Sequence, residues 1–119
     1  MAGMKKLQNH RIGVDQGDVL LFSDFEDGGD MWEGSGARRA SREVRFSEPY
    51  RLPPTVHVGL SMWDMDQTTN SRADVRAEQV SEQGFNLVFR TWGDTRIARA
   101  RAVWLSIGEV AHTDDWDID

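Results

Sequence analysis

The chain has no cysteine. That excludes a disulfide framework, a zinc–thiolate centre and a cysteine nucleophile. Proline is scarce at three residues, and glycine contributes eleven, far from a low-complexity composition. No window approaches the roughly 18 consecutive apolar residues of a transmembrane helix, so insertion into a membrane is not expected. Cations are the minority: 14 Lys and Arg stand against 20 Asp and Glu, for a net charge of −6. Nucleic-acid readers depend on clustered Lys and Arg, so nucleic acid is not an expected partner. Lys5 and Lys6 have no apolar stretch behind them, unlike a secretory signal peptide. The expected location is the cytoplasm, or the outside of the cell by lysis or a nonclassical route.

What remains is the material of one domain: 119 residues, 39 % of them hydrophobic, with five Trp and one Tyr that call for burial or a ligand. No internal repeat or linker divides it. An N-terminal extension covers residues 1–11, the folded body 12–108 and an acidic tail 109–119. The tail carries Glu109, Asp114, Asp115, Asp117 and Asp119 and reads as a solvated, solubilising end.

Within the body, residues 12–22 read as strand through Val19, Leu20, Leu21 and Phe22. Residues 23–39 are rich in Asp, Glu and Gly and read as a loop, long enough to suggest a function. Residues 42–46 alternate with Val44 and Phe46 on one face. Residues 55–63 alternate with Val56, Val58, Leu60 and Met62 on one face and His57, Gly59, Ser61 and Trp63 on the other. Residues 64–71 are a polar loop, and Phe85, Leu87 and Phe89 mark another strand after Gly84. Two segments are ambiguous by pattern. Residues 72–83 are good helix formers with Ala73, Ala77 and Val80 on a helical stripe. Residues 96–107 fit a helix through Ile97, Ala100 and Trp104, or a strand with Ile97, Val103, Leu105 and Ile107 opposite Ala98, Ala100, Ala102 and Trp104. Six strands would make an antiparallel sandwich; four strands and two helices would make an α+β domain.

No enzyme signature is present. His10, His57 and His112 are scattered without metal-ligand spacing. Asp64, Asp66, Thr68 and Asn70 open like a calcium loop, but Thr69 stands where the turn glycine belongs and Val75 where a chelating Glu belongs. Asp24, Glu26, Asp27 and Asp30 offer a looser acidic cluster, and no metal site is assigned to it. Gly34-Ser35-Gly36 lacks the Lys-Ser/Thr continuation of a phosphate loop. What stands out is Arg72 opening a segment after a polar loop and Trp92 closing one before Gly93-Asp94. A sugar needs that combination: donors and acceptors for its hydroxyls and an aromatic plane for its C–H face.

The order of segments resembles the H-type lectin domain, the family of snail agglutinins and of the C-terminal domain of discoidins. The matching stretches are REVRFSEPYRLPPTVHVGLS, WDMDQTTNSR, SEQGFNLVFRTW and the closing Val103-Trp104-Leu105-Ser106-Ile107, with a weaker match at Val14-Asp15-Gln16-Gly17 and Trp32. The resemblance implies an all-β fold, a six-stranded antiparallel β-sandwich, with both ambiguous segments as strands. It implies assembly as a trimer, sometimes a hexamer, in which charges such as Arg76, Glu78, Arg99 and Arg101 could pair between copies. It implies noncatalytic binding of glycans of the galactose or N-acetylgalactosamine type between protomers, with no cofactor. Arg72 takes the place of the Arg that hydrogen-bonds sugar hydroxyls, and Trp92 that of the Trp beside the N-acetyl group. Gly93 stands where snail agglutinins often have His, and Ala98 where they have Tyr. Ser35, Glu33 or Asp94 is left to replace the acidic residue of the early loop. The alternative on the same sandwich is an oligomeric structural, adhesion or assembly module whose pocket has degenerated.

Overall fold

The structure, a computed structural model, describes residues 3–8 and 11–111, and of Glu26 and Asp27 the backbone alone. His10, His112 and four of the five acidic residues of the tail lie outside the described residues. Six strands run β1 Ile12–Ser23, β2 Arg38–Arg45, β3 Thr55–Met65, β4 Asp74–Glu78, β5 Gly84–Thr91 and β6 Ile97–Glu109. They form two three-stranded antiparallel sheets, ordered β1-β6-β3 and β2-β5-β4. The chain is therefore the expected six-stranded sandwich. Neither ambiguous segment is helical, which is packing between sheets overriding local propensity.

The core lies between the sheets. On β5, Phe85, Leu87, Phe89 and Thr91 face inward and are buried. Opposite them, β6 turns its small residues Ala100, Ala102 and Ser106 inward together with Trp104. The Trp104 ring fills the gap these leave, 5.6 Å from Phe85 and 5.9 Å from Phe46 between centroids. Tyr50 packs edge-on against Phe46 at 5.0 Å, and its hydroxyl shares a 2.7 Å hydrogen bond with Ser106 Oγ, which satisfies that buried pair. Of the core expected from alternation, Phe46, Phe85, Leu87 and Phe89 are buried, whereas Val56, Val58 and Leu60 on edge strand β3 are half-buried.

Three details depart from the sequence reading. First, the phase of β3 changes. A bulge between Leu60 and Met62 pairs Met62 with Arg101 and Trp63 with Ala100, so Met62 does not share the face of Val56. A matching bulge in β1 between Leu20 and Phe22 pairs Leu20 with Arg101 and Phe22 with Ala100. The two edge strands thus bend at the same level of β6, and Leu21 and Phe22 are both buried. Second, β4 covers only Asp74–Glu78, and Gln79 with φ of 54° turns the chain before β5. Third, the stretch read as one loop holds two single helical turns, α1 Asp24–Asp27 and α2 Asp30–Glu33. Asp24 Oδ2 accepts the Met31 N–H at 3.0 Å, and Met31 is buried against the core. One-turn helices are too short to leave a periodic trace.

Candidate functional site

One end of the sandwich gathers the 24–37 segment, the β3–β4 loop and the β5–β6 turn. The β5–β6 turn is tight because Gly93 adopts φ of +69°. This left-handed conformation suits glycine, and a second constraint acts with it: the Arg72 guanidinium lies against Gly93, with Nη1 2.9 Å and Cζ 3.1 Å from where a Cβ would stand. From there Arg72 Nη1 donates to Asp94 Oδ1 at 2.5 Å and to Thr95 Oγ1 at 3.3 Å. Buried Thr95 donates in turn to the carbonyl of Asn70, and buried Thr91 donates to the carbonyl of Arg72 at 2.6 Å. Asn70 donates to Asp94 from its backbone and its side-chain amide, both at 3.4 Å. The Arg72 guanidinium, through its hydrogen bond, holds the Asp94 carboxyl below the usual carboxylate range, against a smaller opposing effect of desolvation.

A second arginine clamps the same turn from the other loop. Arg38 donates to the carbonyls of Gly36, Asp30, Met31 and Gly93 at 3.0–3.3 Å, and the Gly36 N–H donates to Gly93 O at 3.0 Å. Ser35 is exposed beside this junction. Behind it, Arg96 lies 4.3 Å over the Trp32 ring and donates to the Trp32 carbonyl at 2.9 Å. Arg96 also reaches Asp66 at 3.4 Å, whose carboxyl is held low chiefly by the Thr68 hydroxyl and amide. Of the four residues singled out from the sequence, Arg72, Trp92 and Asp94 are brought to one turn, and Ser35 is exposed on the facing loop, next to the Gly36 that bonds that turn.

Trp92 is 46 % exposed. It walls a cleft of about 530 Å³ that includes Ala37, Arg38, Arg39, Asp74, Arg76 and Arg90. Arg72 is not among the residues that line that cleft, so it and Trp92 border the turn on different sides. Arg38, Arg39 and Arg90 were not anticipated as site residues. Their signal is the register: Arg39, Arg90 and Asp74 stand in one row across β2, β5 and β4 on the outer face of that sheet.

Charge pairing on this face is internal. Glu78 accepts Arg90 at 3.0 Å and lies 3.8 Å from Arg39, Arg76 bonds Asp74 at 2.9 Å, and Arg99 on the other sheet bonds Asp64 at 3.3 Å. Of the charges that could pair between copies in a trimer, Arg76, Glu78 and Arg99 each have a partner in their own chain. Among the described residues no group of three His, Asp or Glu is placed to hold a metal; Asp24 instead serves the Met31 amide. His57 stands exposed on the outer face of β3.

The structure is thus a two-layer antiparallel sandwich with an exposed tryptophan and an Arg–Asp pair gathered at one end. The model of the H-type lectin domain matches residues 41–107, more than half of the chain, and the chain belongs to that family. A relative from Fuscovulum blasticum, "ATP synthase subunits region ORF 7", is 58 % identical over 108 residues, covering 91 % of this chain and 94 % of its own. A discoidin-1 chain of Dictyostelium discoideum is 28 % identical over 74 residues, 61 % of this chain and 29 % of its own. Two structures of discoidin II from the same organism superpose with TM-scores of 0.73 and 0.74 at 22 % identity, which shows the fold. This chain spans 40 % of the length of those discoidin II chains.

Proposed function

We propose that the protein is a noncatalytic lectin that binds terminal galactose or N-acetylgalactosamine-type glycans at the β5–β6 turn, in sites completed between copies of itself. The observation that carries this reading is the convergence of Arg72, Asp94 and exposed Trp92 on Gly93. Asp94 accepts from a sugar hydroxyl, Arg72 donates to its neighbour, and Trp92 offers the apolar plane. Asp94 stands in for the early-loop acid, and its pairing with Arg72 keeps it ionised. Since Arg72 and Trp92 of one protomer border different sides of the turn, a neighbouring copy would unite one with the other.

The outer face of β1-β6-β3 favours such assembly. Val103, Leu105 and Ile107 on the central strand are each 38–42 % exposed, and Val14 and Leu20 extend the patch onto β1. A contiguous apolar face on a central strand marks an interface, and the occupant always present is another copy of the same face. A trimer is the state we assign. Weak single sites then gain avidity of roughly 10²–10⁴ on glycans that bridge them.

The test is a glycan array probed with the protein and with Arg72→Ala. Signal on galactose or N-acetylgalactosamine termini that vanishes in the variant, with the melting temperature retained, supports the reading. One observation favours the assembly-module alternative: Gly93 and buried Ala98 leave two family polar positions without side chains that reach a ligand. A blank array at high protein concentration would favour that alternative.

A further inference from the structure

We infer that the cleft beside Trp92 takes a carboxylated sugar in preference to its neutral counterpart. This rests on the carbohydrate-binding reading above and names the chemical class of the ligand. The cleft is lined by Arg38, Arg39, Arg76 and Arg90, and Asp74 is the one carboxylate on its wall. Even when Glu78 is counted, which pairs with Arg39 and Arg90, four guanidinium groups face two carboxylates. That surplus sits in a chain whose net charge is −6.

Paired surface charges on a sheet are common and need no ligand. Two features separate this cluster from such a lattice. Arg38 has only carbonyl oxygens as partners among the described residues, those of Gly36, Asp30, Met31 and Gly93. Its positive charge is thus fixed in place by carbonyl dipoles, with no carboxylate in ion-pair contact among the described residues. The other pairs are used sparingly: Arg76 spends its Nε on Asp74, and Arg39 reaches Glu78 only at 3.8 Å, so both retain free donors. A neutral sugar would balance donors with acceptors and has no use for this excess. A carboxylate matches the planar donor fork of an arginine, and the half-exposed Trp92 lies where the ring carrying it would rest.

The experiment displays matched pairs at equal density: galactose with galacturonic acid, glucose with glucuronic acid, and lactose with sialyllactose. The probes are the whole protein, R39Q/R76Q, and R45Q as a control of like charge elsewhere on the same face. The glutamines keep part of each side-chain stem over the outer face, and melting temperatures check the fold. The carboxylated member of at least one pair should be preferred about tenfold or more at low salt, with the preference shrinking as salt rises. R39Q/R76Q should lose the preference and R45Q should keep it. Equal binding of neutral and acidic members overturns the inference and leaves the lectin reading standing. Binding of neither overturns both. A preference unchanged in R39Q/R76Q overturns the location, and equal retention of a short DNA duplex would mean general polyanion attraction and overturn the sugar class.

Discussion

Gly93→Ala tests the site at its hinge, and Gly36→Ala supplies the control. Both glycines have positive φ, +69° and +76°. They differ in what a side chain would meet. At Gly36 a Cβ finds nothing within 4 Å; at Gly93 it presses on the Arg72 guanidinium. An alanine in the left-handed region costs about 1–2 kcal/mol, offset by about 0.4–1 kcal/mol from a stiffer unfolded chain, so each variant should lose about 1 kcal/mol. For a domain of this size that is a fall of about 4 °C in melting temperature. The contact at Gly93 falls on the far end of a flexible side chain, which can move, so its added cost to the fold is the hydrogen bonds Arg72 gives up to Asp94 and Thr95. Moving it, however, takes Arg72 away from Asp94 and from the sugar. Loss of one charge-assisted hydrogen bond, about 1.5–3 kcal/mol, means more than tenfold weaker binding. Thermal melts and binding to a galactoside surface, run on both variants, separate the two effects. A melting loss at Gly93→Ala at least as large as at Gly36→Ala, with glycan binding lost only in Gly93→Ala, is expected. Equal binding by the two variants would refute the placement of Arg72 in the site.

Phe85→Ala removes a ring that is 3 % exposed and in contact with Phe46 and Trp104, and should cost about 3–5 kcal/mol in a urea titration followed by tryptophan fluorescence; a midpoint equal to wild type would reject this core. Binding that needs ionised Asp94 should be flat from neutral pH down to its ordinary value of 3.8 and fail only below it. The sign follows from the direction of the shift: a carboxyl lowered in the folded state contributes above the unfolded value and loses its contribution as pH falls through the folded one. A decline centred near pH 6 would point to a group other than Asp94. Leu105→Asp puts a charge in the centre of the apolar face of β1-β6-β3 and should convert the proposed oligomer to a folded monomer in sedimentation velocity. An unchanged sedimentation coefficient would move the interface elsewhere.

Much of the fold was legible in the chain because each sheet buries only one face. Alternation through Phe85, Leu87 and Phe89 marks β5, and the stretch from Thr55 marks β3. What pattern alone could not settle was β4 and β6. Their residues are good helix formers, and β6 turns alanines inward and Val103, Leu105 and Ile107 outward, the reverse of an ordinary amphipathic strand. The order of the motifs, not their hydropathy, resolved them. The phase of β3 beyond Leu60 was hidden because a bulge leaves no mark in composition. For the site, Arg72, Trp92, Asp94 and Ser35 were legible as residues; that the first three meet at Gly93 was not. Arg39, Arg90 and Asp74 escaped notice because they are separated in sequence and become neighbours only through strand register.

The two outer faces of the sandwich divide the work. On β1-β6-β3 the central strand presents Val103, Leu105 and Ile107, which water covers poorly. On β2-β5-β4 the central strand presents Asn86, Val88 and Arg90, and Val88 is wholly buried beneath the charged rows that flank it. Desolvating that charged face would break or strand its ion pairs, whereas desolvating the apolar face costs little. In the assembly we propose, association therefore proceeds through β1-β6-β3 and leaves the arginine face in solvent. The β5–β6 turn lies at the end both sheets share, so it is carried to the rim of such an assembly. Trp92 belongs to the strand phase of the charged face, and its cleft stays open to a glycan while the loops around Arg72 approach a neighbouring copy. On this proposal a sandwich with this asymmetry would take its oligomer from one sheet and its charged ligand chemistry from the other. In that reading the two meet only at the β5–β6 turn, where Gly93 and Ala98 depart from the family pattern while the scaffold is kept.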